Sequence, residues 1–214
     1  MKLIYLTILI ATALASACAD PAANKPKAQT TEPTSTAANS SPMDLKSSGT
    51  ALSISPENSK IEFTGSKVTG KHDGGFKNIK GMIDLVGEKP ESSKVAVEIE
   101  MASVFTDTDR LTKHLQAADF FEVETYPTAS FTSSMIAPAG AGSNYSVTGD
   151  LTLRGVRKSI TFPATISVTA DAVAVKAEFA INRKDFGIVY AGKADDLIRD
   201  DVVIRLDLKS PRKK

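Results

Sequence analysis

The chain has no tryptophan, one cysteine (Cys18), two histidines (His72 and His114) and almost no net charge, with 26 basic against 25 acidic side chains in 214 residues. A single cysteine excludes a disulfide framework, a multi-cysteine zinc site and a CxxC redox pair together. Charge balance without a basic stripe excludes a protein whose affinity rests on phosphate backbones, because attraction to polyanions needs clustered Lys and Arg. Residues 51–214 alone balance at zero, so no charged domain hides behind a neutral total. The longest apolar run, residues 3–14 (LIYLTILIATAL), spans roughly 18 Å as a helix, too short for a bilayer core of about 30 Å.

That run follows Met1-Lys2 and precedes the small residues Ala15-Ser16-Ala17, the layout of an export signal over residues 1–17. Leu14-Ala15-Ser16-Ala17-Cys18 resembles a bacterial lipobox, which implies an acylated Cys18 as a membrane anchor. Of residues 19–50, 20 of 32 are Ala, Pro, Ser or Thr, and only Met43 and Leu45 are large and apolar. Such a composition cannot bury enough surface to offset its ordering entropy, so residues 18–50 read as a lipidated, disordered tether and residues 51–214 as the globular unit.

In that unit the dominant period is two. Val95, Val97, Ile99 and Met101 alternate with polar or small residues, as do Tyr145, Val147, Gly149, Leu151 and Leu153. The pattern recurs through Ile160, Phe162, Ala164, Ile166 and Val168, through Val173, Val175, Ala177, Phe179 and Ile181, and through Val202, Ile204, Leu206 and Leu208. With weaker runs near 60–68, 78–86 and 128–137, this predicts an all-β unit of eight antiparallel strands with one short helical insertion at 109–118, N-capped by Thr108 or Asp107. Sandwich and barrel both fit; eight strands close into a barrel wide enough to fill with side chains or to hold one slender ligand. Outward Glu98, Glu100, Lys176, Glu178, Arg205 and Asp207 exclude a lipid-facing outer wall.

Residues able to carry chemistry are few. His72 lies in Lys71-His72-Asp73-Gly74-Gly75, read as an exposed hairpin turn; His114 lies on the helix among Asp107, Asp109 and Asp119. No HExxH, paired-His, CxxC or G-x-S-x-G pattern is present, so neither a metal, a cofactor nor a catalytic group is assigned. Asp195, Asp196, Asp200 and Asp201 are acidic but lack the spacing of a calcium loop. All nine phenylalanines fall within 51–214, as an ordinary core would place them.

Several stretches, however, occur in a recognisable order. They are Ser59-Lys-Ile-Glu-Phe63, Gly75-Phe76, Ile79-Lys-Gly81, Val104-Phe-Thr106, Arg110 with His114-Leu115, Asp119-Phe-Phe121, Tyr126-Pro127, Phe131-Thr-Ser133, Gly149-Asp-Leu-Thr-Leu-Arg-Gly-Val156 and Asn182-Arg183-Lys-Asp-Phe-Gly187. From about residue 52 to 208 the chain resembles the YceI-like family, departing from it at Asn58-Ser59, where a His-Ser pair is usual, and in residues 70–74. The resemblance implies an eight-stranded lipocalin-like barrel in an exported bacterial protein, with an elongated apolar cavity for a polyisoprenoid or another long-chain lipid. Inward parity and the aromatic end then nominate Phe63, Phe76, Val97, Ile99, Phe120, Phe121, Tyr126, Phe131, Leu151, Phe162, Ala164, Ala177 and Phe179 as cavity residues. The reading is a carrier held in the cell envelope, periplasmic or at the surface, through Cys18; a homodimer is the one protein partner left open. Two rivals stand beside it: a filled barrel serving as an envelope interaction module, and an enzyme using His72, His114 or Asp119 on an isoprenoid-like substrate.

Overall fold

The computed structural model describes residues 19–33 and 48–212. In chain order the elements are β1 (Gln29–Thr31), β2 (Thr50–Ile54), β3 (Lys60–Lys67), β4 (Gly70–Phe76), β5 (Ile79–Leu85), β6 (Lys94–Glu100) and β7 (Val104–Thr106), followed by α1 (Asp109–Gln116). After the helix come β8 (Thr128–Pro138), β9 (Asn144–Leu153), β10 (Val156–Val168), β11 (Ala172–Asn182), β12 (Gly192–Lys193), β13 (Asp196–Leu197) and β14 (Asp201–Pro211). Twelve strands form one sheet in the order β2-β5-β6-β8-β9-β10-β11-β14-β3-β4-β7, with β1 added to β10; β12 and β13 make a separate hairpin. The ladders between named strands of the large sheet are antiparallel. The sheet curls in the lipocalin-like manner until β2 meets β14, where buried Ser210 donates from Oγ to the Ser53 carbonyl at 2.8 Å.

The alternating runs become the long strands for the reason their period suggests: one parity is apolar and needs a dry side. Val95, Val97, Val147, Ile160, Phe162, Val173, Val175, Phe179, Ile181 and Leu208 all belong to one buried cluster inside the curl. The helix forms where expected, and Thr108 caps it by accepting from the Leu111 amide at 3.4 Å. Leu115 is its buried residue, packed with Phe63, Val104, Phe120 and Ile188.

Three expectations are corrected. The strands exceed eight, because segments at 29–31, 50–54, 70–76, 104–106 and 192–197 also pair. His72, Gly74 and Gly75 are not a turn but part of β4, which pairs with β3 through Gly65↔His72 and Phe63↔Gly74. Glycine suits that strand because a Cβ at Gly74 would lie 2.5 Å from the Phe63 ring, so the missing side chain makes room for an aromatic one.

The third correction concerns the segment read as a wholly disordered tether. Residues 19–33 pack against the barrel, whereas Cys18, the 1–17 signal and residues 34–47 lie outside the described residues. The β10–β11 ladder runs only from Val168↔Val173 to Thr165↔Lys176, and the N-terminal strand occupies the gap beyond. Gln29, Thr30 and Thr31 pair with Thr161, Ile160 and Ser159 on β10. On the other side Ala28 donates to the Ala180 carbonyl and Ala180 to the Pro26 carbonyl, both at 2.8 Å. Ala22, 1% exposed, packs on Ala180 and Val203, so small residues that supply little hydrophobic area elsewhere fit closely here. Backbone hydrogen bonds, to which side-chain composition is blind, hold this segment.

Candidate ligand-binding cavity

A cavity of about 240 Å³ runs along the inside of the curl. Pro90, Ser93 and Lys94 stand at one end, and Leu115, Phe120, Phe121, Ile188, Ile198 and Arg199 at the other. Along β14 its wall is formed by Val202, Ile204, Leu206 and Leu208, a run of roughly 20 Å at about 3.3 Å per residue. A space this long and this small in volume is a narrow channel, and its middle offers no polar side chain to orient a compact ligand. What fits is a linear apolar chain, whose burial contributes about 0.8 kcal/mol per methylene.

Ten of the nominated residues line this channel: Phe63, Phe76, Val97, Ile99, Phe120, Phe121, Phe131, Leu151, Phe162 and Phe179. Three do not. Ala164 is buried in the surrounding core and Ala177 packs against that core, both beside the seam where β10 and β11 part. Tyr126 instead lies over Gly155, where its ring would stand 2.6 Å from an added Cβ; that glycine also has a left-handed φ of 71° in the β9–β10 turn. Aromatic contacts shape the channel: Phe131 and Phe162 lie 5.6 Å apart, and Phe63, Phe76 and Phe121 form a chain of tilted rings at 5.8 and 6.1 Å.

The two histidines lie off the channel lining. His72 Nδ1 is 2.8 Å from Asp107 Oδ1, and His114 Nε2 is 3.0 Å from Asp119 Oδ2. The His114 ring packs edge-on against Phe120 at 4.9 Å and Tyr190 at 5.1 Å, helping to close the α1 end. Among the described residues no three His, Cys, Asp or Glu converge on a common point. The acidic stretch is instead taken up in ion pairs: Asp196 with Lys67, Asp200 with Arg183 and Lys184, and Asp201 with Lys27.

Arg183, named in the sequence only as part of the Asn182–Gly187 stretch and given no role there, organises the α1 end. Arg183, 4% exposed, donates to the carbonyls of Ile188 at 2.6 Å, Arg199 at 3.1 Å and Ile198 at 3.4 Å, and to Asp200 Oδ1 at 3.1 Å. Burial lowers its guanidinium pKa from the ordinary value, with Asp200 opposing. It stitches residues 188–200 onto the barrel while its own side chain borders the cavity. Gly65 was likewise given no role; it faces the channel with nothing within 4 Å of an added Cβ. A glycine leaves no trace in an apolar periodicity, and an arginine inside an apolar wall reads as a surface residue.

Comparison with known proteins agrees with this geometry. Residues 52–210 match the YceI-like domain. A UPF0312 protein of Pseudomonas putida (strain W619) is 34% identical over 137 residues, covering 61% of this chain and 71% of the relative. One from Pseudomonas savastanoi pv. phaseolicola is 34% identical over 135 residues, covering 60% and 70%. Among solved structures, Burkholderia cenocepacia BcnA superposes with a TM-score of 0.65 at 26% identity, covering 73% of this chain and 98% of its own. A polyisoprenoid binding domain from Saccharophagus degradans, implicated in plant cell wall breakdown, gives 0.62 at 19% identity and covers 77% and 100%. With a family match across most of its length and a channel of the shape described, the chain belongs to the YceI-like family.

Proposed function

We propose that this protein is an exported, membrane-anchored binding protein that carries or sequesters a long-chain apolar ligand, a polyisoprenoid or similar lipid, in its barrel channel. The observation that carries the reading is the channel itself: narrow, apolar along its length, and walled by side chains from seven or more strands. The description of the Saccharophagus degradans domain as polyisoprenoid binding agrees with it in ligand class. The anchoring half rests on the signal-like residues 3–14 and on Leu14-Ala-Ser-Ala-Cys18, which together favour an envelope location with Cys18 acylated. Binding rather than turnover is the reading because the channel walls offer an apolar tail surface and no nucleophile paired with a base.

The test is organic extraction of the full-length protein purified in mild detergent, followed by mass spectrometry of the extract. A stoichiometric long-chain lipid, absent from an unrelated lipoprotein prepared in parallel, is the expected result. A lipid-free protein that also fails to take up added polyprenol would leave the filled-barrel interaction module as the better reading.

A further inference from the structure

We infer that the α1 end of the barrel rests on the bilayer surface, so that the ring of His114, Phe120 and Tyr190 at this end of the channel faces the membrane that holds the anchor. The inference rests on the proposed acylation of Cys18. Its geometric basis lies in where the described chain begins. Asp20 Oδ2 is 3.4 Å from Arg199 Nη1, and Asp20 Oδ1 accepts from the Ala22 amide at 2.9 Å. Arg199 borders the channel at the α1 end. Cys18 is two residues before Asp20, a reach of at most about 7 Å even when extended. Acyl chains on Cys18 therefore enter the bilayer beside this end and not beside the end at Pro90 and Lys94.

An independent observation marks the same end. Four large apolar residues are exposed among the described ones, and three of them cluster here by chain and by contact: Val68, Val189 and Leu197. The Val68 amide donates to the Leu197 carbonyl at 3.2 Å, joining the β3–β4 turn to the β12–β13 hairpin. Val189 projects outward between Ile188 and Tyr190, which pack with Leu115 and Phe120 at the channel end. Exposed apolar tips beside an acyl anchor suit a lipid surface, where their exposure to water ends. Lys67 pairs with Asp196, Arg199 with Asp20 and Arg183 with Asp200, and the exposed Lys193, Arg110 and Lys113 of this end are offset by Asp195, Asp107 and Asp109 in the same segments, so the contact does not call for anionic lipid. A ligand leaving past the His114, Phe120 and Tyr190 rings would then enter the membrane without its tail crossing water.

The absence of tryptophan makes the test direct. Single-tryptophan variants Val68→Trp and Leu197→Trp mark the α1 end, and Glu91→Trp and Ala139→Trp, also exposed, mark the other. Each full-length protein is reconstituted into phosphatidylcholine vesicles with and without brominated acyl chains, and intact mass reports acylation of Cys18. The expected result is blue-shifted emission and bromine quenching for the first pair only, unchanged by added salt. An unacylated Cys18 overturns the anchored reading and this orientation with it. An acylated protein whose four variants respond alike, or whose Ala139→Trp variant is quenched and Leu197→Trp is not, overturns the orientation alone.

Discussion

The Phe162 and Phe179 rings stack face to face inside the barrel, 4.2 Å between centroids and 12° between planes. They do so where their strands have separated. The register that pairs Thr165 with Lys176 would set Phe162 opposite Phe179, yet the β10–β11 ladder has already stopped. Pro163 lies two residues past the break, and the ladder to β9 runs through it unbroken, in keeping with a donor missing on the β11 edge. On the outer side β1 closes the seam that the stacked rings bridge within.

The N-terminal strand is therefore part of the fold. Replacing Ala28 by proline removes the amide that Ala180 accepts from, and is expected to cost about 1 to 3 kcal/mol. For a domain of this size that lowers the melting temperature by about 2–4 °C per kcal/mol. Hydrogen exchange at Ala180 should rise in the same variant. Unchanged melting and unchanged protection at Ala180 would show that the segment does not hold the seam.

How much of this could be read from the chain follows from what each feature depends on. The long strands and their inward faces were legible because an alternating apolar pattern is the physical requirement for a one-sided strand, as at Val95 to Met101 and Ile160 to Val168. The helix was legible through its cap, Thr108. The docking of residues 19–33 was not, since Pro26 and Ala28 are held by backbone groups that every residue carries. Nor was β4 at His72, whose strand character comes from pairing with β3 and from the Phe63 ring filling the space over Gly74. Ten of thirteen nominated cavity residues lie on the lining; Ala164, Ala177 and Tyr126 fall off it because the seam and the β9–β10 turn are tertiary features.

Arg183 supports the channel end through three carbonyls, and its loss leaves them unpaired in a largely dry site. Arg183→Met is expected to destabilise by about 2 to 4 kcal/mol and to raise hydrogen exchange across residues 188–200 first. Arg183→Lys should not rescue it, because one ammonium cannot reproduce the guanidinium fork. Denaturant melts of the two variants with peptide-resolved exchange check this; a stable Lys variant with normal protection would contradict it.

Asp73 gives the fold an acid-sensitive contact. The hydrogen bond from Thr64 holds its carboxyl below the ordinary value of 3.8, helped by Lys71 and Arg205 and opposed by burial. A depressed folded value means the contact is fully present above the unfolded pKa and is lost as pH falls through the folded one. Its side chain is 56% exposed, so screening limits the effect to less than about 1 kcal/mol. Stability of Asp73→Asn measured from pH 7 down to pH 2 should fall less steeply below pH 4 than that of the parent; parallel curves would show that Asp73 contributes nothing to the acid limb.

Gly65 and Gly149 separate the channel from the core around it. Gly65 faces the cavity with open space where a Cβ would go and without a left-handed φ, so Gly65→Leu should project into the channel and leave the barrel folded. Gly149 is closed off: its added Cβ would lie 2.5 Å from the Phe131 ring and 2.5 Å from the Thr132 carbonyl oxygen. Gly149→Ala should therefore overpack and destabilise by about 1 to 3 kcal/mol. If the channel holds a lipid tail, Gly65→Leu loses the extractable lipid at a melting temperature near or above that of the lipid-free parent, because leucine also suits a strand better than glycine. If the barrel is instead a filled core, there is no lipid to lose and Gly65→Leu behaves like Gly149→Ala. Thermal melts and lipid extracts of the two variants distinguish these outcomes, and a Gly65→Leu protein that keeps its full lipid content would show that the ligand does not pass this point of the channel.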